Sequence, residues 1–209
     1  MALLGFSRLL RQDYGEQMDD TALHFIDRIE QAGRTMEELI HDLLEFSRIG
    51  QGGDRRAMVD PRSVLLQIAA EMKPRLEALG TELELPAHPP LIYCDRTRLY
   101  QVFSNLVGNA IEHMGPCKNP VVTVETWDER ESHEISVRDV GRGVAPEDHD
   151  RIFEIFQSLG PRADGRRGSG IGLGIVKKIA ETHGGRVWNE SEPGTGATFR
   201  DSFPKRRQE

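Results

Sequence analysis

Gly168-Ser169-Gly170-Ile171-Gly172-Leu173-Gly174 sets four glycines at alternate positions ahead of an apolar-periodic stretch. That stretch, Ile171 to Thr182, reads as a helix that stops at Gly184-Gly185. So many glycines are costly in chain entropy. At a helix N-terminus they would expose successive backbone N–H groups, where the helix dipole favours phosphate. A structural turn is the other reading of these residues. The run is not the dinucleotide fingerprint, because no glycine falls at the required third position, and the absence of any Gly-Lys pair excludes a Walker loop.

Two further segments lie upstream. Asn105 and Asn109 are four residues apart in a predicted helix from about Thr97 to His113, which puts both amides on one face. A carboxamide oxygen suits Mg²⁺, which keeps several waters and takes further oxygens from phosphates. Two asparagines that merely cap or solvate a helix would look the same. Asp139-Val140-Gly141-Arg142-Gly143 follows a predicted strand. There an ionised Asp can accept from an exocyclic amine, and the glycines let a flat ring approach the backbone. An ordinary Asp-Gly turn is the alternative.

The N-terminal part has a different period. From Ala22 to Phe46 the apolar residues repeat as heptads: Ala22, Ile29, Met36 and Leu43 in one row, Phe25/Ile26, Ala32, Leu39/Ile40 and Phe46 in the next. A shorter helical stretch, Leu3 to about Gln12, precedes it, with the turn in Asp13 to Asp20. A lone helical hairpin cannot cover its seam, so pairing with a second copy into a four-helix bundle is expected. Gly50 to Gly53 reads as a linker, which gives domains at 1–53 and 54–209.

After the linker, strands and helices alternate. Asp60-Pro61 opens a helix to about Leu79. Strands are predicted at Glu82–Leu85, Leu91–Cys94, Val121–Trp127, Glu134–Arg138, Arg186–Asn189 and Ala197–Phe203. A short helix is expected after Pro146, and a polar segment at Gln157–Arg167. The fold class is α+β: a helical hairpin, then a two-layer α/β sandwich with a mostly antiparallel sheet.

The chain has 209 residues and a net charge of −7, which argues against a nucleic-acid surface but allows a nucleotide site built from backbone N–H groups. No apolar run is long enough to span a membrane, so no membrane contact is expected. Two cysteines, Cys94 and Cys117, make no disulfide framework and point to a reducing, cytoplasmic compartment.

In the order Asn-x-x-x-Asn, Asp-x-Gly-x-Gly, Gly-x-Gly-x-Gly-Leu, the three segments resemble the N, G1 and G2 boxes of sensor histidine kinases. Arg151-Ile152-Phe153-Glu154-Ile155-Phe156 resembles the F box, and Phe153–Gly174 is most similar to the phytochrome-type subgroup. Gly184–Trp188 and Gly194–Phe199 are similar to the closing segments, and Asp42–Arg48 to the end of the second dimerisation helix. The resemblance implies the Bergerat-type ATP-binding sandwich shared with gyrase, mismatch-repair and heat-shock chaperone ATPases. It implies Asn105 and Asn109 on Mg²⁺ and phosphate, Asp139 on the adenine amino group, and Gly141 and Gly143 lining the base. Gly168, Gly170 and Gly172, with Leu173, would form the phosphate-side lid hinge. A homodimer and a response regulator receiver domain are the implied partners.

Three departures stand out. Where the family has Lys and then an aromatic after the second Asn, this chain has Glu112 and His113. Arg162, Arg166 or Arg167 would then meet phosphate, unless they form a solvated basic loop. The phosphoacceptor, in a His-Asp/Glu-x-Arg-x-Pro setting, is absent: His41-Asp42 lacks the Arg and Pro, and the remaining histidines have no such context. The sequence therefore suggests a kinase core that binds ATP without phosphorylating itself. A dimerising pseudokinase is the second class of function. A conformational ATPase is the third, although its general-base Glu would stand where Asn105 does.

Overall fold

A computed structural model of the chain describes residues 2–51, 55–115, 117–159 and 168–205. It forms two compact units, residues 1–45 and 46–209.

In the first unit, α1 (Ala2–Tyr14) and the start of α2 (Asp20–Arg48) are joined by a 3-10 turn at Gly15–Gln17. Asp19 begins α2 as a cap, its Oδ1 accepting from the Ala22 amide at 2.7 Å. Leu4 and Ser7 of α1 are buried, as are Ile26 and Glu30 of α2. Glu30 lies 2.9 Å from Arg34 and 3.6 Å from Arg11, so the buried carboxylate is paired. The heptad rows divide between two sides. Ile26 is enclosed, whereas Phe25, Ile29, Met36, Ile40 and Leu43 are exposed, together with Leu3, Phe6 and Leu10 of α1. Large apolar stripes of this kind mark association surfaces.

The second unit contains β1 (Ala57–Val59), α3 (Pro61–Leu79), β2 (Glu82–Glu84), β3 (Ile92–Cys94), α4 (Arg96–His113), β4 (Val121–Asp128), β5 (Ser132–Asp139), α5 (Gly172–Thr182), β6 (Val187–Ser191) and β7 (Ala197–Pro204). Strands β2, β4, β5, β7 and β6, in that order, form one sheet. Only the β2–β4 pairing is parallel. Helices α4 and α5 pack against the sheet and against each other, and α3 packs on α4. This is the expected two-layer sandwich.

Local chemistry sets the helix starts. Asp60 accepts from the Arg62 amide with Pro61 in the first turn, and Asp95 accepts from the Thr97 and Arg98 amides at 2.7 and 3.2 Å; each cap contributes about 1 kcal/mol. In α4, Leu99, Val102, Phe103, Leu106, Val107, Ala110 and Ile111 are wholly buried. Their spacing of three and four makes one apolar stripe. It turns Asn105 and Asn109 toward the other flank, where both are half-buried.

Two elements differ from the sequence-based expectation. β1 pairs antiparallel with β3, and three residues after Arg55-Arg56 are too few to show a period of two. The segment after Pro146 makes two 3-10 turns, Pro146–Asp148 and Arg151–Phe153; Glu147-Asp148-His149-Asp150 offers no apolar face for a longer helix to bury.

Asp201 lies in the middle of β7, between Ile135 of β5 and Val187 of β6, with no solvent exposure. Neither carboxyl oxygen has a hydrogen-bond partner among the described residues, and the neighbouring Ser202 amide is committed to the Arg186 carbonyl. Burial pushes its pKa well above the usual carboxylate range. A raised folded pKa means the fold tolerates the neutral acid, whereas the unfolded chain ionises above pH ~4. Stability therefore falls as pH rises from there toward the folded pKa. Asp201→Val is expected to stabilise the second unit by about 1–3 kcal/mol at pH 8, and less at pH 5. Thermal melts at the two pH values check this; an unchanged or lower Tm at pH 8 contradicts it.

Candidate functional site

The site is built where α4, the end of β5 and the start of α5 meet. Asn105 Nδ2 donates to the Gln101 carbonyl at 2.8 Å, which fixes the amide and leaves its oxygen turned to α5. There the backbone comes so close that a Cβ on Gly172 would lie 2.6 Å from Asn105 Oδ1. Asn109 stands one turn further along α4.

At the other end of α4, a Cβ on Gly141 would lie 2.5 Å from the His113 carbonyl oxygen and 2.8 Å from Asp139 Oδ1. Only glycine fits that approach. Asp139 is 4% exposed, and its Oδ1 accepts from the Gly141 amide at 2.8 Å and the Ala197 amide at 3.3 Å. Burial raises its pKa, and the two amides oppose that shift. The carboxylate is thus aimed and held by backbone donors from two separate segments.

Helix α5 begins at Gly172 with Ile171 as N-cap and no side-chain cap. Ile171 therefore offers no side-chain acceptor to the first N–H groups of α5, which suits an anion. Gly170, like Gly143, has a positive φ, 67° and 70° respectively. Gly168 leads into this turn and Leu173 is half-buried in the first turn of α5. Arg162, Arg166 and Arg167 lie outside the described residues.

Glu112, the apparent charge reversal, lies 3.4 Å from Arg75 of α3, so its carboxylate has a cation of its own. Arg142 Nη2 donates to His113 Nδ1 at 2.8 Å, beside Gly141; a guanidinium only donates, so that nitrogen accepts.

Other supporting residues escaped the sequence reading. Ser191 Oγ accepts from the Val144 amide at 2.8 Å and donates to the Gly196 carbonyl at 2.7 Å. At Gly196, a Cβ would lie 2.1 Å from the Asp139 carbonyl oxygen. The Gly194-Thr195-Gly196 turn was the available signal, but nothing in it names Asp139 as the neighbour.

Among known proteins, residues 94–207 match the family model "Histidine kinase-, DNA gyrase B-, and HSP90-like ATPase", and residues 1–52 match "His Kinase A (phospho-acceptor) domain". The chain is 36% identical over 201 residues to phytochrome-like protein Cph1 of Synechocystis sp., covering 95% of this chain and 26% of that protein. It thus spans about a quarter of that relative's length. The crystal structure of full-length ShkA in complex with AMPPNP is similar, with a TM-score of 0.70 and 30% identity over 97% of this chain and 42% of that one. The fold is also that of histidine kinase ThkA, crystallised in complex with response regulator protein TrrA, with a TM-score of 0.71 and 22% identity over 98% of this chain and 58% of that one. A hairpin followed by this sandwich, both recognised by their own family models, makes the chain a member of the sensor histidine kinases, within the histidine kinase-, gyrase B- and HSP90-like ATPase family.

Proposed function

We propose that the chain is the dimerising and ATP-binding part of a two-component sensor histidine kinase. In this reading residues 1–53 serve dimerisation and 54–209 take ATP with Mg²⁺. The observation that carries it is the meeting of three separated segments: Asn105 against Gly172, and the end of α4 against Gly141 beside the anchored Asp139.

The residues fit such a ligand. Asp139 would accept from the adenine amino group, with the base against Gly141 and Gly143. Asn105 and Asn109 would offer amide oxygens to Mg²⁺ and phosphate. The N-terminal amides of α5, with Gly168, Gly170, Gly172 and Leu173, would receive the phosphates, aided by Arg162, Arg166 or Arg167. Bound ATP would supply the γ-phosphoryl group for a histidine imidazole, and thence for an aspartate on a response regulator; the protein contributes position and charge neutralisation. The pairing of Glu112 with Arg75 supports binding over a nucleotide-free pseudokinase.

No His of residues 1–52 stands in an acceptor setting. His183 is buried against Phe203, with Nδ1 2.9 Å from the Ile179 carbonyl, and His133 pairs with Asp128. In this reading His88, His113 and His149, outside residues 1–52 and without an acceptor setting, are not acceptors either. Among the described residues no helix is long and apolar enough to cross a membrane. The free Cys94 and Cys117 favour a cytoplasmic setting.

Calorimetric titration with ATP and Mg²⁺ is expected to show saturable binding, weakened at least about tenfold by Asn109→Ala or Asp139→Asn. Absence of binding by the native chain overturns the reading. Asp139 must be ionised to accept from the base, and its pKa is raised. ATP affinity should consequently fall as pH drops from 8 toward 5, more steeply in the native protein than in Asp139→Asn. Incubation with γ-labelled ATP should leave no acid-labile label on the chain; such label would show that an acceptor is present.

The exposed stripe through Phe25, Ile29, Met36, Ile40 and Leu43 is assigned to a second copy of this chain. Light scattering is expected to give a dimer for the native protein and a monomer for Ile29→Glu combined with Met36→Glu. A native monomer contradicts this assignment.

A further inference from the structure

Away from α4 and the glycine run, the edge strand β6, helix α5 and the turns after Pro146 line an open cleft of about 310 Å³. That lies at the lower end of the range for small-molecule sites. None of its lining residues is among those assigned to ATP above, and only Phe153 falls in the segment that resembles the F box. Phe153, Val187 and Trp188 supply apolar wall. The polar wall comes from Asn189, Lys177, His149 and Asp150.

Two of those groups carry buried nitrogens without a partner among the described residues. Asn189 is only 9% exposed, and its buried Nδ2 has no acceptor among the described residues; the buried Nε2 of His149 is likewise unmatched. Lys177, half-buried, and Asp150, exposed, form no ion pair among the described residues and face the cavity as charged groups that still reach water. Buried polar groups are normally satisfied, so the unmatched Asn189 and His149 nitrogens on one cavity wall point to something that belongs there.

We propose that this cavity binds a small zwitterion of the amino-acid class. Lys177 and Asn189 Nδ2 are donors suited to a carboxylate. Asp150, and His149 Nε2 in the tautomer protonated at Nδ1, are acceptors suited to an ammonium. Phe153, Val187 and Trp188 receive the apolar side chain. The charges of Lys177 and Asp150 balance, so a ligand of one net sign would leave one of them unmatched. Helix α5 carries both Lys177 and Gly172 of the nucleotide site, so occupancy here bears on the same helix.

The test is calorimetry on the full chain with L-leucine and L-phenylalanine, alongside 4-methylpentanoate and 3-methylbutylamine, which carry one charge each. Saturable binding of an amino acid at least tenfold tighter than either single-charge compound is expected. Lys177→Met should weaken it at least tenfold while leaving ATP titration unchanged, and Asn189→Leu should do likewise. No saturable binding of either amino acid, or binding unaffected by Lys177→Met, overturns the proposal. The ATP titration on each variant reports folding, so this outcome is separate from failure of the nucleotide reading.

Discussion

The architecture of the site depends on burial of the apolar stripe of α4. Leu99, Phe103, Leu106, Ala110 and Ile111 lose all contact with water, and full burial of a side chain such as Leu or Phe contributes about 1.5–3 kcal/mol. A helix so anchored cannot rotate about its axis without exposing the stripe. Asn105 and Asn109 are therefore held on the flank that faces α5. Everything polar in the site is measured from that fixed helix: Gly172 by its approach to Asn105, and Gly141 by its approach to the last carbonyls of α4.

Electrostatics then follows from placement. The Asp139 carboxylate is paid for by two backbone amides and, among the described residues, by no ion pair. Burial raises its pKa while hydrogen bonds lower it, so the group remains a strong acceptor that is sensitive to acid. The start of α5 supplies the opposite polarity through uncapped N–H groups. A base at one end and phosphates at the other match this gradient. The protein's overall negative charge does not oppose it, because the field that matters is set by groups within a few ångströms.

Much of this was legible from residue order. Heptads revealed the hairpin because their period of three and four persists over more than three repeats, and Asp60-Pro61 marked α3 by local capping chemistry. The glycine run marked the start of α5, because glycines so placed break the chain ahead of an apolar-periodic stretch. What was not legible depends on contacts between distant segments. Ala197 donates to Asp139 from 58 positions away, and Arg75 reaches Glu112 across 37. No local pattern encodes either partner. Strand β1 was missed because three residues carry no alternation, and Asp201 reads as a surface residue until β7 is seen to be enclosed by β5 and β6.

The central claim is that α4, the end of β5 and the start of α5 close on one purine nucleotide. A crystal structure of this chain with ATP and Mg²⁺ tests that most directly. The account requires the adenine amino group within hydrogen-bond distance of Asp139, phosphate oxygens at the first amides of α5, and the metal beside Asn105 and Asn109. Nucleotide bound elsewhere, or a base turned away from Asp139, would contradict it.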